Sequence, residues 1–217
     1  MKLLTGSRKW PATAWRTLLE LALPALDEVG ADVQWTLGGG TGLALKLDHR
    51  ISYDIDIFME DARNLRALSP NRNTASRAIS DRWQDPGHYL RLEREEGVID
   101  FIIAARLTDL APWHYSFMGR DIPVEEPAEI LAKKLKYRGS RIIPRDIFDI
   151  LAVYRLDPDI VAAAVSFAPD GARRAVDRIR RIEKRYRETI KDEVNPTTTG
   201  AELLEVDPIE AAEILSG

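Results

Sequence analysis

The most constraining feature of this chain is a glycine turn followed closely by two acids one residue apart. It reads Leu37-Gly38-Gly39-Gly40-Thr41, then a short helical run to about Leu47, then Ser52-Tyr53-Asp54-Ile55-Asp56-Ile57-Phe58. Glycines between a strand and a helix let the backbone come close to a ligand, and the free N–H groups at the helix start favour phosphate oxygens. Gly39 and Gly40 are the candidates for that contact, with Thr41 adding a hydroxyl. Side chains alternate along a strand, so Ser52, Asp54 and Asp56 share one face, while Tyr53, Ile55 and Ile57 turn to the core. Two carboxylates side by side repel each other. A divalent cation relieves that repulsion and leaves open positions for triphosphate oxygens. Mg²⁺, or Mn²⁺ in its place, is therefore the expected metal, with an NTP as substrate.

A third acid, Asp100, interrupts the apolar run Val98-Ile99-Asp100-Phe101-Ile102-Ile103. A carboxylate among such neighbours costs several kcal/mol unless it is paired or metal-bound. Asp100 thus belongs either on the cleft face, as metal ligand or general base, or in a buried ion pair. His49 and Arg50 precede the acidic strand, with Arg50 a candidate phosphate contact and His49 more ordinary as a turn residue. Farther on, Lys134 and Arg138 stand four apart on a helix, on the same side as Ile130 and Leu131, and Arg145, Asp146 and Asp149 open the next helix. Lys134 can reach phosphates across a cleft or pair with Asp146 or Asp149. Both readings stand at this stage.

Periodicity divides the chain. Trp15, Leu18, Leu19, Ala22, Leu26 and Val29 mark a first amphipathic helix that stops at Gly30. Strands are expected at 33–37, 53–58, 88–92, 98–104, 115–118 and 122–124, with a helix at 74–80. From Pro127 the pattern is helical, over 127–137, 144–155, 159–167 and 172–191. The fold class is α+β: a lobe with a mixed sheet over residues 1–125, then a helical bundle lobe over 126–194. Residues 195–217 read as a polar hinge, Asn195 to Gly200, and a short acidic helix opened by Asp207 and Pro208.

Charge follows the same division. Residues 1–132 carry 15 basic and 20 acidic side chains, residues 133–187 carry 15 and 7, and residues 188–217 carry 1 and 8. The middle block suits a partner with phosphates, although the acidic tail can also fold back and neutralise it. The chain has no cysteine, which excludes a disulfide framework, a Cys-type zinc site and a cysteine nucleophile, and suits a reducing compartment such as the cytoplasm. No Ser, His and Asp set is spaced for nucleophilic catalysis. The most apolar stretch, 14–26, is broken by Arg16, Glu20 and Pro24, so neither a membrane span nor a signal peptide is expected.

The run Gly39-Gly40-Thr41-Gly42-Leu43-Ala44-Leu45 with His49-Arg50-Ile51-Ser52-Tyr53-Asp54-Ile55-Asp56-Ile57-Phe58 resembles the nucleotidyltransferase toxins of the AbiEii/AbiGii type, within the DNA polymerase β-like superfamily. Lys134, Arg138 and Arg145-Asp146-Ile147-Phe148-Asp149 look like the second signature of that family. The resemblance implies a polymerase β-like lobe before a helical lobe, and an NMP unit moved from an NTP to an acceptor hydroxyl. By resemblance, Asp54 and Asp56 match the metal pair, Gly39, Gly40 and Thr41 the phosphate turn, and Lys134 with Asp146 required positions of the helical lobe. Asp100 is the weaker match, as third acid. Partners implied are an NTP, an RNA acceptor, in the family the tRNA 3′ end, and a cognate antitoxin acting as a transcriptional regulator. Two departures stand out: Gly42 where the family commonly has Ala, and Asp48 where it commonly has Gly, the latter expected to place extra negative charge near the triphosphate. The alternatives are a catalytically silent binding module and a small-molecule nucleotidyltransferase of the antibiotic-modifying sort.

Overall fold

The computed structural model describes residues 14–217. Residues 1–13 of the first expected lobe lie outside the described residues. Helix α1, Trp15–Val29, is followed by strand β1 at Thr36–Gly38, helix α2 at Gly39–Leu47 and strand β2 at Ile55–Met59. Then come α3 at Ala62–Leu68, α4 at Thr74–Ile79, β3 at Arg82–Gln84, β4 at Tyr89–Glu93, β5 at Val98–Ile103, β6 at Trp113–Phe117 and β7 at Arg120–Val124. Two of these, α3 and β3, have no counterpart in the periodicity. Helix α3 spans only 7 residues, too few for its buried Leu65 and Leu68 to mark a stripe, and the 3 residues of β3 are all exposed.

The strands form one mixed sheet in the order β3-β4-β5-β2-β1-β7-β6. Strand β2 is central, antiparallel to β1 and parallel to β5. Its burial alternates, with Ile55, Ile57 and Met59 in the core and Asp56 and Phe58 on the opposite, partly open face. Register then fixes the neighbours: Gly38 and Asp100 both lie beside Asp56, and Arg91 lies beside Asp100. The core face is covered by α1 and by Leu65, Leu68 and Ile79 of the two short helices. Asn73 ties these together by capping α4 and donating its amide to the Ala25 carbonyl at 2.9 Å.

The remaining helices are α5 at Pro127–Arg138, α6 at Pro144–Leu156, α7 at Pro158–Phe167, α8 at Pro169–Glu193 and α9 at Pro208–Ile214. Each of these five opens with proline, whose missing N–H costs nothing in the first turn. Asp207 caps α9 as its sequence position suggested. They build a second apolar core, to which Leu43 of α2 also belongs, so α2 bridges sheet and bundle. Gly139 and Gly171 let α8 approach the turn after α5, since a Cβ at either would collide with backbone of the other element. Residues 195–200, read above as a hinge, lie against the loop before β2. The Ile51 amide donates to the Asn195 carbonyl at 2.8 Å and the Thr197 amide to the His49 carbonyl at 3.2 Å.

Candidate active site

A cleft of about 780 Å³ opens between the sheet face of β2 and β5 and the helices α5 and α6. Of the residues singled out in the sequence, Gly39, Gly40, Arg50, Ser52, Asp54, Asp56, Asp100, Lys134, Arg138, Arg145 and Asp146 line it. Thr41 does not. It is 1% exposed, because its hydroxyl fastens the glycine turn to the acidic strand by donating to the Asp54 carbonyl, beside Ser52 Oγ at 2.8 Å. His49 is also absent from the lining and is 2% exposed.

The floor is acidic. Asp54 Oδ1 accepts from the Val98 amide at 2.9 Å, which orients one of the pair. Burial, followed by the nearby charges of Asp100 and Asp54, pushes the Asp56 carboxyl above its ordinary value. Gly39 has φ +58, and a Cβ there would run into the Asp56 carboxylate, so only glycine lets this backbone pass the acid. Asp100 lies on the cleft face, and its ion pair is with a partly exposed arginine. Arg91 Nε and Nη2 donate to its two oxygens at 2.8 and 2.7 Å. Among the described residues no group of three or more acidic or imidazole side chains could hold a metal ion as placed. The set Asp54, Asp56 and Asp100 is therefore not assembled as a three-ligand site here, and both oxygens of Asp100 are occupied by Arg91.

The opposite wall is basic and tightly wired. Asp149 accepts from Arg50 Nε at 2.7 Å and Nη2 at 3.1 Å, stands 2.8 Å from His49 Nε2 and pairs with Lys134 at 3.0 Å. Lys134 also donates to Asp146 at 2.7 Å, and Arg138 pairs with Asp146 at 3.3 Å. Asp146 Oδ2 further accepts from the Ile143 amide at 3.3 Å, capping α6. Both readings of Lys134 thus meet in one place, an ion-paired ammonium that also borders the cleft. Against the upward push of burial, Arg50 and Lys134 hold Asp149 well below the usual carboxylate range. Burial lowers the His49 pKa, against the opposing pull of Asp149 beside its Nε2. Three cations against two acids leave this wall net positive, facing the acidic floor. An anion that brings its own cations fits between them.

Several lining residues had no signal in the sequence. Arg91, Tyr89 and His88 come from β4 and its approach, Phe58 from β2, and Lys133 and Tyr137 from α5. Strand pairing brings in the first group, which no local pattern reveals. Lys133 is drawn inward by Glu125 at 2.5 Å and Glu129 at 3.2 Å, and its ammonium sits 4.4 Å from the Phe58 ring centroid. The departures also find reasons. A Cβ on Gly42 would lie 2.9 Å from Ile130 Cδ1, so α2 packs close to α5 there. Asp48 is the left-handed cap of α2, with φ 48, exposed and outside the cleft lining; its charge does not face the site.

The family model described as "Nucleotidyl transferase AbiEii toxin, Type IV TA system" matches residues 21–213. No curated protein matches the chain significantly. Among solved structures, the solution structure of the antibiotic-resistance factor ANT(2″)-Ia is similar, with 18% identity over 72% of this chain and 92% of that one, and a TM-score of 0.52. The crystal structure of ANT(2″)-Ia in complex with adenylyl-2″-tobramycin gives 19% identity, 71% of this chain, 97% of that one and a TM-score of 0.50. The shared fold is the polymerase β-like nucleotidyltransferase fold.

Proposed function

The chain belongs to the AbiEii nucleotidyl transferase toxin family, and from that premise we propose that it transfers NMP from a Mg²⁺-bound NTP to a hydroxyl of an RNA acceptor, the tRNA 3′ end. The observation that carries this reading is that Asp56 of β2 and Asp54, just before the strand begins, both line the cleft, with a glycine turn held against Asp56. The donor set fits a hard divalent cation: two carboxylates with Asp56 raised by burial and by its acidic neighbours. Asp54 and Asp56 would hold Mg²⁺, or Mn²⁺, with the rest of its shell left to water and phosphate oxygens. When bound, such an ion neutralises the triphosphate and makes its leaving group a better one.

The chain's own residues supply the rest. Gly39 and Gly40 admit the phosphates to the backbone at the start of α2. Arg50, Lys134 and Arg138, fixed by Asp146 and Asp149, face the charge that builds on the phosphates. The acceptor oxygen attacks the α-phosphorus, the bond to the bridging oxygen breaks and pyrophosphate leaves. Asp100 takes the acceptor's proton on an oxygen that Arg91 must first release. A cognate antitoxin as partner and action in the cytoplasm belong to the same proposal, and the match to a Type IV toxin family supports them. Among the described residues no helix is long and apolar enough to cross a membrane.

A second reading is nucleotidyl transfer to a small molecule, favoured by the likeness to a fold relative captured with adenylyl-2″-tobramycin. A silent binding module is the third, and the close approach of the glycine turn to Asp56 argues against it, since such a module has no use for that contact. Incubation with labelled NTPs, Mg²⁺, total RNA, total protein and tobramycin separates these. Label in RNA supports the proposal, label in tobramycin supports the second reading, and no label with no magnesium-dependent NTP binding supports the third.

A further inference from the structure

Helix α8 buries Ala172, Ala175, Ile179, Ile182, Tyr186 and Ile190, which leaves it two exposed flanks. On one flank every cation but Arg180 has an acid. Arg173 pairs with Asp170, Lys184 with Glu188 at 3.9 Å, Arg187 with Glu183 and Asp207 at 2.8 Å each, and Lys191 with Glu205 at 2.6 Å. The acidic C-terminal segment supplies two of those acids, and Glu202 takes Arg155 at 2.9 Å. The tail therefore neutralises this side.

The other flank differs. Arg174, Arg178, Arg181 and Arg185 recur at intervals of four, three and four, which aligns them in one stripe. Among the described residues Arg174, Arg178 and Arg181 have no carboxylate within ion-pair distance, and Arg185 has only Glu193 at 3.5 Å. Arg178 donates to the Ile142 carbonyl at 3.3 Å and Arg181 to the Asp177 carbonyl at 3.1 Å, contacts that orient the guanidinium groups without cancelling their charge. Ile142 lies between exposed Arg141 and half-buried Arg145, and Arg145 lines the cleft. Neither is paired with a carboxylate among the described residues. A row of guanidinium groups thus runs from the cleft mouth onto α8.

We propose that this row is the track on which the phosphodiester backbone of the RNA acceptor lies as its 3′ end enters the cleft. The inference rests on the RNA-acceptor reading above and adds the surface that holds the RNA. Arginine suits it, since its planar fork meets phosphate oxygens in pairs and keeps its charge at any working pH. A small-molecule acceptor needs no such row outside the cleft.

Fluorescence anisotropy with a labelled RNA hairpin ending in a single-stranded 3′ tail tests this across a salt series. For Arg174→Gln with Arg181→Gln, affinity is expected to fall about tenfold or more and the log–log salt slope by about two. Lys184→Gln with Arg187→Gln, on the neutralised flank, is expected to leave both unchanged. Melting curves and magnesium–NTP binding establish that each variant is folded. Equal affinities in the two double variants, RNA binding intact in both, or loss of antitoxin binding without loss of RNA binding overturn the track alone. A wild-type protein that labels a small molecule and shows no RNA affinity removes the RNA reading and the track with it.

Discussion

Arg91 and Asp100 stand opposite each other on antiparallel strands, and the guanidinium occupies both oxygens of the carboxylate at 2.8 and 2.7 Å. The pair borders the cleft beside Asp56, so one cation shields the acid best placed to complete a three-carboxylate set. Replacing Arg91 with Gln keeps a hydrogen-bonding side chain and removes the charge. Mn²⁺ binding without nucleotide, followed by electron paramagnetic resonance, is expected to tighten about fivefold, since a unit charge at the edge of a solvent-open cleft is worth about 1 kcal/mol. Unchanged or weaker Mn²⁺ binding in the variant would contradict the shielding of Asp100 by Arg91.

Metal binding should release a proton where Asp56 is partly protonated. Burial and its acidic neighbours raise Asp56 above 3.8, so its ionisation disfavours the metal-free fold. The sign follows: this group's contribution to stability is greatest below pH 3.8 and is lost as pH rises through the raised folded value. Mn²⁺ affinity should climb over the same interval. Calorimetry in two buffers of different ionisation heat should show proton release in the wild type and less of it in Asp56→Asn.

Asp149 works in the opposite direction. Burial opposes its charge, but Arg50 and Lys134 hold its pKa well below 3.8, so its stabilisation is present above that value and is lost as pH falls through the folded pKa. Asp149→Asn leaves two buried cations short of an acid and is expected to cost about 3 kcal/mol at pH 7 in urea denaturation. A loss below about 1 kcal/mol would mean that the basic wall is held by packing alone.

Gly39→Ala should act on binding more than on stability. Its φ of +58 makes any side chain costly by about 1 kcal/mol, and the new Cβ also meets the Asp56 carboxylate. Gly30, with φ +141 and no atom within 4 Å of an added Cβ, is the control. Magnesium–NTP binding by calorimetry should fall about tenfold or more in Gly39→Ala, as displacement of an acid proposed to hold the metal implies, and hold in Gly30→Ala.

What the sequence made legible was local. The glycine turn and the alternation through Asp54 and Asp56 depend on neighbours in the chain, and backbone geometry carries them directly to the cleft floor. The Arg91–Asp100 pair depends on the β4–β5 register, which a side-chain pattern does not specify. Thr41 lies outside the cleft lining because a hydroxyl able to meet phosphate is equally able to donate to a carbonyl, here that of Asp54. Residues 195–200 looked like a hinge because they are polar, yet Asn195 and Thr197 spend that polarity on the loop at His49–Tyr53, where Asn195 Nδ2 donates to the Tyr53 hydroxyl at 2.9 Å. Composition showed the charge excess of the middle block, and only the fold shows which flank of α8 the tail leaves uncovered.

The most direct measurement pairs activity and stability on Asp56→Asn. Labelled NTP, Mg²⁺ and RNA report transfer and pyrophosphate release, and thermal melting of the metal-free protein reports the fold. Transfer is expected to fall by about a thousandfold or more, while the melting temperature stays level or rises because a repelled carboxylate has been removed. Undiminished transfer at an unchanged melting temperature would contradict a catalytic role for the two acids.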